Sequence, residues 1–273
     1  MTSKSDISGE ADAARQAARG GIQALDGALR VLRTMSKGSS PIALTDLARA
    51  AGMPASKVHR YLASFIHTGL VLQRERSGRY ELGPFAAELG LAALGRNEFV
   101  NRAADGLKGL NKRTGLTALL TVWADQGATV VRWERTASPV LTSLGLGSTL
   151  PLLSSASGRI FLAFLSRRIT APRLRPEVAK ARKAKVKWPD LDLTAKSNER
   201  LIASVQGSRM ASVDGRFIPG LKAVSSPVTN WQGEAEVAVT LIGTQDDMLA
   251  TSSNAQAQLR EFTERMSIPR PLA

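Results

Sequence analysis

The residues that could support catalysis or metal binding are few, and the two histidines fall in one short segment. His59 and His67 lie within "GMPASKVHRYLASFIHTGLV", residues 52–71, together with Lys57 and Arg60. Imidazole groups serve as general bases and as metal ligands. The chain contains no cysteine, however, and no third histidine, so thiolate metal sites and histidine clusters are excluded. We therefore expect no metal, no cofactor and no catalytic histidine.

Two serine- and glycine-containing motifs also suggest chemistry at first sight. "SSASG", residues 154–158, offers a serine nucleophile, but a Ser-His arrangement needs a nearby histidine and both histidines lie in the earlier segment. "GLGSTL", residues 145–150, lacks the third glycine of a dinucleotide fingerprint and the Gly-Lys-Ser/Thr of a phosphate loop. Neither motif predicts an enzyme.

The elements around the histidine segment predict a winged helix-turn-helix. Apolar residues recur every three or four positions over three short segments, which predicts three helices. We expect the second helix to open at Thr45, whose hydroxyl could cap it, and the third near Pro54. "LVLQRERSGRYELG", residues 70–83, then predicts a two-stranded hairpin around Ser77-Gly78.

The third helix of this module has the properties of a DNA-recognition helix. Its apolar stripe leaves a basic face exposed, and the hairpin adds arginines that can contact phosphates or the minor groove. We expect a double-stranded DNA operator as partner, although any small basic three-helix module shares part of this pattern. The candidate contacts are Thr45, Ser56, Lys57, His59, Arg60, Ser64, Arg74, Arg76 and Arg79.

The net charge of +14 also indicates a polyanionic partner, but its distribution complicates that interpretation. Residues 167–187 hold nine bases and one acid. We interpret this run as a solvated helix face in preference to a second nucleic-acid patch. No apolar run is long enough to cross a bilayer and the N-terminus lacks a secretory signal, so we expect a cytoplasmic protein without membrane contact.

The second half of the chain predicts an α+β domain with antiparallel hairpins and helices. Strand pairs are expected around Asp125-Gln126-Gly127 and Trp231-Gln232-Gly233, with helices at 155–165, 194–205 and 245–266. A helix over 84–100 is apolar nearly all round, so we expect it to be buried between domains or subunits. The predicted organisation is a disordered tail at 1–20, a DNA-binding domain at 21–83, a linker helix at 84–100 and a second domain at 101–273.

These motifs together resemble the IclR family of bacterial transcriptional regulators. The resemblance rests on "ALDGALRVLRTM" and "LTDLARAAGMPASKVHRYLASFIHTGLVLQRERSGRYELGP" in the first domain, and on "LPLLSSASGRIFLAFL" and "SRMASVDGRFIPGLKAVSSPV" followed by "VAVTLIG" in the second. It implies a two-domain fold with an all-α winged helix-turn-helix, a linker helix and a GAF-like effector domain. It also implies dimers or tetramers and a small-molecule effector.

The resemblance further implies where an effector binds. Carried over residue by residue, the binding positions are Ala156, Ser157, Asp214, Ala223, Thr240 and Ile242. A helix opening at 155–158 would present free backbone amides and a positive dipole end, which suit an organic carboxylate or aromatic acid. Leu144 and Leu146 would cover the carbon part of the ligand.

Two departures from the family pattern keep the effector's identity open. Gly215-Arg216 stands where members often have an acidic pair, and Ala223 where they often have a cysteine. An inward Arg216 would favour an anionic ligand; we expect it instead on the surface. The predicted function is a ligand-responsive DNA-binding regulator. The alternatives are a DNA-binding architectural protein whose second domain only oligomerises, and a hydrolase-like domain with a DNA-binding head.

Overall fold

The computed structural model describes residues 22–37, 41–75, 77–136, 144–186, 188–250 and 253–269. The predicted tail at 1–20 and the candidate contact Arg76 lie outside these ranges. The chain divides into two compact units, Met1–Ala93 and Leu94–Ala273. Within the described ranges, no helix combines the length and apolarity that a membrane span requires.

The first unit is the predicted winged helix-turn-helix. Its helices are α1 (Gln23–Lys37), α2 (Leu44–Ala51) and α3 (Ala55–His67), followed by strands β1 (Val71–Gln73) and β2 (Tyr80–Leu82). The two strands pair antiparallel, with Val71 opposite Leu82. The apolar stripe of each helix faces a common core, formed by Val31, Met35, Leu47, Ala48, Ala51, Val58, Leu62, Phe65, Val71 and Tyr80.

The turn between α2 and α3 is set by a helix-ending glycine. Gly52 has φ of 65°, a left-handed conformation that side chains disfavour, and Met53 N–H donates to the Ala48 carbonyl at 3.0 Å. The predicted start of α2 is wrong by one residue. The helix begins at Leu44 with Ala43 as its N-cap and no side-chain cap, because Thr45 already has helical backbone in the first turn.

The predicted single helix over 84–100 is two helices. α4 (Pro84–Gly95) ends at Gly95, and α5 (Glu98–Thr114) begins after Asn97, whose side chain accepts a hydrogen bond from Val100 N–H at 3.0 Å. This N-cap stops the two helices from merging. No residue of α4 is buried within the single chain, and Leu89 and Leu91 are 50% and 69% exposed.

The second unit is the predicted α+β domain, built on one six-stranded sheet. Its neighbouring strands are all antiparallel, in the order β5-β4-β3-β8-β7-β6. The strands are β3 (Thr117–Ala124), β4 (Gly127–Glu134), β5 (Thr149–Leu150), β6 (Ala211–Asp214), β7 (Lys222–Thr229) and β8 (Ala235–Gly243).

Helices cover both faces of this sheet. α5 and α9 (Asn254–Met266) pack against one face, and α6 (Ala156–Phe164) packs against the other together with α8 (Ala195–Ser208). α7 (Arg167–Lys183) follows α6. The helix predicted over 245–266 is instead a 3₁₀ turn at Asp246–Leu249 followed by α9.

Strict alternation along the strands decides which residues face α6. Successive strand side chains point to opposite faces of a sheet. On β8, Val239 and Leu241 join the core under α5 and α9, whereas Thr240 and Ile242 point toward α6. Leu119 lies opposite Thr240 in the pairing of β3 with β8 and shares its face. The sheet thereby presents a small set of residues to the N-terminus of α6.

Candidate functional site

The exposed face of α3 is the candidate DNA interface. Burial of Val58, Leu62 and Phe65 turns the opposite side of the helix to solvent. Thr45, in the first turn of α2, is exposed as well. The predicted contacts on α3 are all exposed: Ser56, Lys57, His59, Arg60 and Ser64.

The wing contributes two further described arginines. Arg74 Nε donates to Glu81 Oε1 at 3.0 Å, and Arg79 Nη1 donates to the Pro41 carbonyl at 3.4 Å. Both side chains are exposed. The ion pair between Arg74 and Glu81 links the two sides of the hairpin and neutralises part of the Arg74 charge. Arg79 makes no ion pair with a described residue, so its positive charge is less neutralised than that of Arg74.

The candidate ligand site is a small cavity beside the N-terminus of α6. Its volume is about 40 Å³, and most of its lining is apolar. Six predicted positions line it: Leu144, Ala156, Ser157, Ala223, Thr240 and Ile242. Seven other residues complete the lining: Leu119, Leu150, Ser155, Val213, Phe217, Ile218 and Leu221.

Two predicted positions do not line this cavity. Leu146 is 69% exposed. Asp214 also faces outward, because Ala211 and Val213 are the inward residues of β6, and its carboxylate lies 3.6 Å from Lys222 Nζ. Sequence reasoning missed Phe217 and Ile218; their apolar side chains within a Gly- and Pro-containing loop were the available signal.

Hydroxyl groups form a buried chain at the base of the cavity. Ser157 Oγ and Thr240 Oγ1 are 2.7 Å apart, and Thr240 Oγ1 donates to Ser225 Oγ at 2.8 Å. Ser225 Oγ in turn donates to the Val239 carbonyl at 3.1 Å. All three side chains are almost fully buried. The Thr240 hydroxyl is therefore held in one orientation between α6 and β7.

The N-terminus of α6 lies unusually close to the preceding turn. Ser155 Oγ accepts from Gly158 N–H at 2.9 Å, which caps the helix. A Cβ on Gly158 would lie 2.0 Å from the Pro151 carbonyl oxygen, so only glycine fits. Among the described residues, neither the Ala156 nor the Ser157 backbone N–H has an acceptor, as expected for the first positions of a helix. These two amides border the cavity.

An ionic cluster around the buried Arg159 flanks the same helix. Arg159 is 3% exposed; its Nε donates to the Leu153 carbonyl at 2.7 Å and its Nη1 to Asp190 Oδ2 at 2.8 Å. Arg216 Nη1 also donates to Asp190. Nη2 of Arg159 has no hydrogen-bond partner within the described part of the chain. Two arginines thus share one carboxylate, and the cluster carries a net positive charge.

This cluster corrects the expected surface position of Arg216. The Arg216 side chain is only 13% exposed because it crosses to Asp190. Burial lowers the pKa of Arg159 to about 10; burial, with the nearby charge of Arg159, lowers the pKa of Arg216 to about 10 as well. Both guanidinium groups remain protonated at neutral pH. Arg216 directly precedes Phe217, which lines the cavity.

A buried carboxylate supports the turn before α6. Glu177 of α7 accepts from Leu152 N–H at 2.7 Å and from Leu153 N–H at 2.8 Å. Burial raises the pKa of this carboxyl, against the lowering effect of the two backbone hydrogen bonds. Glu177 ties α7 to the segment that leads into the helix N-terminus.

Comparison with known proteins identifies both units. Residues 24–75 match the IclR helix-turn-helix domain, and residues 91–268 match the bacterial transcriptional regulator IclR C-terminal domain. The HTH-type transcriptional regulator BhcR of Paracoccus denitrificans is 27% identical over 226 residues, which cover 82% of this chain and 78% of that protein. The matched relatives are transcriptional regulators and not enzymes.

Solved structures agree with this assignment. The crystal structure of Pseudomonas aeruginosa HmgR superimposes with a TM-score of 0.69 and 30% identity, covering 90% of this chain and 100% of that chain. An IclR homologue from Microbacterium hydrocarbonoxydans, crystallised with 4-hydroxybenzoate, has a TM-score of 0.70 at 18% identity and covers 89% of this chain and 97% of its own. The chain belongs to the IclR family of bacterial transcriptional regulators, which bind operator DNA and small-molecule effectors.

Proposed function

We propose that this regulator senses a small organic carboxylate, with an aromatic acid as the favoured class, in the cavity beside α6. The main support is the juxtaposition of two unpartnered backbone amides, Ala156 and Ser157, with the buried hydroxyls of Ser157 and Thr240. Amides at a helix N-terminus stabilise negative charge through hydrogen bonds and the helix dipole. Because Thr240 donates to Ser225, Ser157 is the donor to Thr240, and the Ser157 hydroxyl would exchange that hydrogen bond for one to the carboxylate.

The remaining lining suits the carbon part of such a ligand. Leu119, Leu144 and Ile242 surround the hydroxyls with apolar surface. The indole Nε1 of Trp133 is buried without a partner among the described residues. Because Trp133 lies directly opposite Leu119 in the β3–β4 pairing, it shares the cavity's side of the sheet. It could donate a hydrogen bond to a polar group at the far end of a ligand.

The cavity must enlarge before it can hold an organic acid. At about 40 Å³ it has room for about one water molecule, whereas drug-sized ligands occupy pockets of roughly 300 Å³ or more. Phe217 and Ile218 cover it from the loop between β6 and β7, and Phe217 is already 37% exposed. We infer that this loop moves outward on binding. Arg216 and Asp190 then determine how readily it does so.

The net positive charge of the Arg159, Asp190 and Arg216 cluster supports the preference for an anion. The Microbacterium protein crystallised with 4-hydroxybenzoate has the same fold. We therefore propose 4-hydroxybenzoate as the first compound to test as an effector of this chain. At 18% identity the comparison supports the fold and leaves the effector of this chain to experiment.

On the DNA side, we propose that α3 enters the major groove with Lys57 and Arg60 contacting base edges or phosphates, and that Ser56, His59 and Ser64 lie beside them. The wing arginines would follow the DNA backbone. The exposed apolar side chains of α4 support self-association through that helix, as a dimer or tetramer. A cytoplasmic location fits this role.

Thermal-shift screening tests the ligand proposal. A ligand that binds only the folded state raises the melting temperature by mass action. We expect 4-hydroxybenzoate or another small carboxylate to stabilise the wild type, and Thr240→Val to lose most of that shift. Thr121→Val is the matched control, because Thr121 is equally buried on β3 but does not line the cavity. No shift across a broad carboxylate panel would instead favour an architectural DNA-binding protein.

A further inference from the structure

The positive charge of this regulator is concentrated away from its helix-turn-helix. The first unit contains 12 lysines and arginines and 8 acidic residues, a net charge of +4. The second unit contains 25 bases and 15 acids, a net charge of +10. Residues 167–187 alone hold nine bases and one acid, so they contribute +8 of that +10. One short segment of the effector unit thus carries twice the net charge of the whole DNA-binding unit.

The structure places this charge on the outside of α7 and the turn that follows it. The one acid, Glu177, is turned inward to accept the Leu152 and Leu153 amides. It cannot neutralise the outer surface of the helix. Seven of the bases in this segment are exposed: Arg167, Arg168, Arg175, Lys180, Arg182, Lys183 and Lys185.

Most of these cations have no counter-charge among the residues that the structure describes. Arg167 pairs with Glu199 at 3.1 Å, and Arg182 donates to the Leu193 carbonyl. The other exposed bases make no ion pair with any residue that the structure describes. We call these five residues the basic α7 face: Arg168, Arg175, Lys180, Lys183 and Lys185.

The spacing within the basic α7 face suits a regular array of negative charges. Arg168 and Arg175 are seven residues apart on one helix, so they lie on the same side and about 10 Å apart along the axis. Lys183 lies about two turns after Arg175, on the adjacent side of the same helix. Double-stranded DNA offers a charge every ~1.7 Å of its axis, so a rigid row of cations can contact several phosphates at once.

The sequence of α7 departs from what normally stabilises a helix. Two bases, Arg167 and Arg168, occupy the first turn, where the helix dipole favours acidic residues. The helix also contains Pro172 and Pro176. The excess charge is local to this segment, since the rest of the second unit has 16 bases and 14 acids, a net charge of only +2. A specific polyanionic partner explains this charge better than the solvated helix face that the sequence alone favours.

We propose that the basic α7 face is a second DNA-binding surface, which contacts phosphates without reading base sequence. Duplex DNA is the polyanion that this family of regulators binds, and once the helix-turn-helix is bound the local concentration of DNA phosphates is high. The surface would strengthen binding to DNA that flanks the base-read site. Such contacts position a protein but carry no direct sequence information.

The salt dependence of DNA binding tests this surface. The variant combines Arg168→Gln, Arg175→Gln and Lys183→Gln in the full chain. Fluorescence anisotropy measures its binding to a labelled random-sequence duplex of about 40 base pairs. Each lost phosphate contact lowers the slope of log Kd against log salt by about 0.9. We expect the slope to fall by about 2 to 3 and the affinity at low salt to fall at least tenfold.

The matched control removes the same charge elsewhere in the second unit. Lys112, Lys196 and Arg260 are exposed and make no ion pair with a described residue, so a triple change to Gln keeps the net charge equal. We expect this control to retain the wild-type slope. Equal slopes for the two triple variants, whether both reduced or both unchanged, would overturn the proposal.

Photo-crosslinking gives a second, direct readout. A benzoylphenylalanine at Ala179, which is exposed on the same side of α7 as Arg168, should form an adduct with a labelled duplex, whereas one at the exposed Ala257 of α9 should not. Absence of an adduct at Ala179 would refute a DNA contact. If the α7 triple variant also lost binding to polyglutamate or to phosphatidylglycerol vesicles, the basic α7 face would be assigned to another polyanion.

Discussion

Asp190→Asn tests the ionic cluster that flanks α6, because it should change stability and ligand affinity in opposite directions. In the wild type, Asp190 accepts hydrogen bonds from both Arg159 and Arg216. A neutral amide at this position would leave the two guanidinium groups without the carboxylate that they share, so their mutual repulsion would no longer be offset. Removal of one partner from a buried pair destabilises proteins by roughly 3–5 kcal/mol.

The expected magnitude follows from the exposure of the pair. Arg159 is 3% exposed but Asp190 is 36% exposed, so water replaces part of the lost interaction. We therefore expect a loss of about 2 kcal/mol, which corresponds to a fall in melting temperature of about 4–8 °C for a unit of this size. Affinity for carboxylates should rise, because the net positive charge around α6 increases and Arg216 no longer anchors the loop that contains Phe217.

Differential scanning calorimetry measures the change in stability. Isothermal titration calorimetry with the tightest-binding carboxylate of the panel measures the change in affinity. Asp105→Asn is the control, since Asp105 is an exposed carboxylate on α5 that forms no ion pair with a described residue. We expect the control to match the wild type in both measurements. An unchanged melting temperature in Asp190→Asn, or a weaker affinity for carboxylates, would refute the role assigned to the cluster.

Two further predictions concern DNA recognition and assembly. Arg60→Ala should weaken binding to a selected operator by roughly 1–3 kcal/mol and relax base preference at the contacted position; anisotropy on operator and scrambled duplexes measures this, and equal losses on both would contradict base reading. Leu91→Glu should lower the oligomeric mass measured by light scattering, because it places charge on the exposed apolar surface of α4. Leu146→Glu is its control, with the same 69% exposure outside that helix; an unchanged mass for Leu91→Glu would contradict assembly through α4.

The fold was predictable from the sequence wherever periodicity and turn chemistry agreed. The spacing of Val58, Leu62 and Phe65 predicted the buried side of α3, and the Asp125-Gln126-Gly127 turn predicted the hairpin of β3 and β4. Helix boundaries were less predictable. Asn97 divides the expected helix over 84–100 through a local side-chain cap that competes with continued helix.

The cavity was predictable only in part, because its residues come from distant parts of the chain. The α6 turn and the two β8 positions followed from the family resemblance, and strand alternation explains why Asp214 of β6 points away. The pairing of Arg216 with Asp190 joins residues 26 positions apart through an irregular segment, so no periodic pattern signals it. Arg216 was consequently expected on the surface.

The central claim is that a carboxylate bound at the N-terminus of α6 changes the affinity of the regulator for DNA. Operator binding measured by anisotropy, with and without saturating ligand, tests this most directly in the wild type and in Ser157→Ala combined with Thr240→Val. Coupling energies are typically 1–3 kcal/mol, so we predict a ligand-dependent change of about 5- to 150-fold in the operator Kd of the wild type and none in the variant. An unchanged Kd in the wild type, or an equal response in the variant, would contradict the claim.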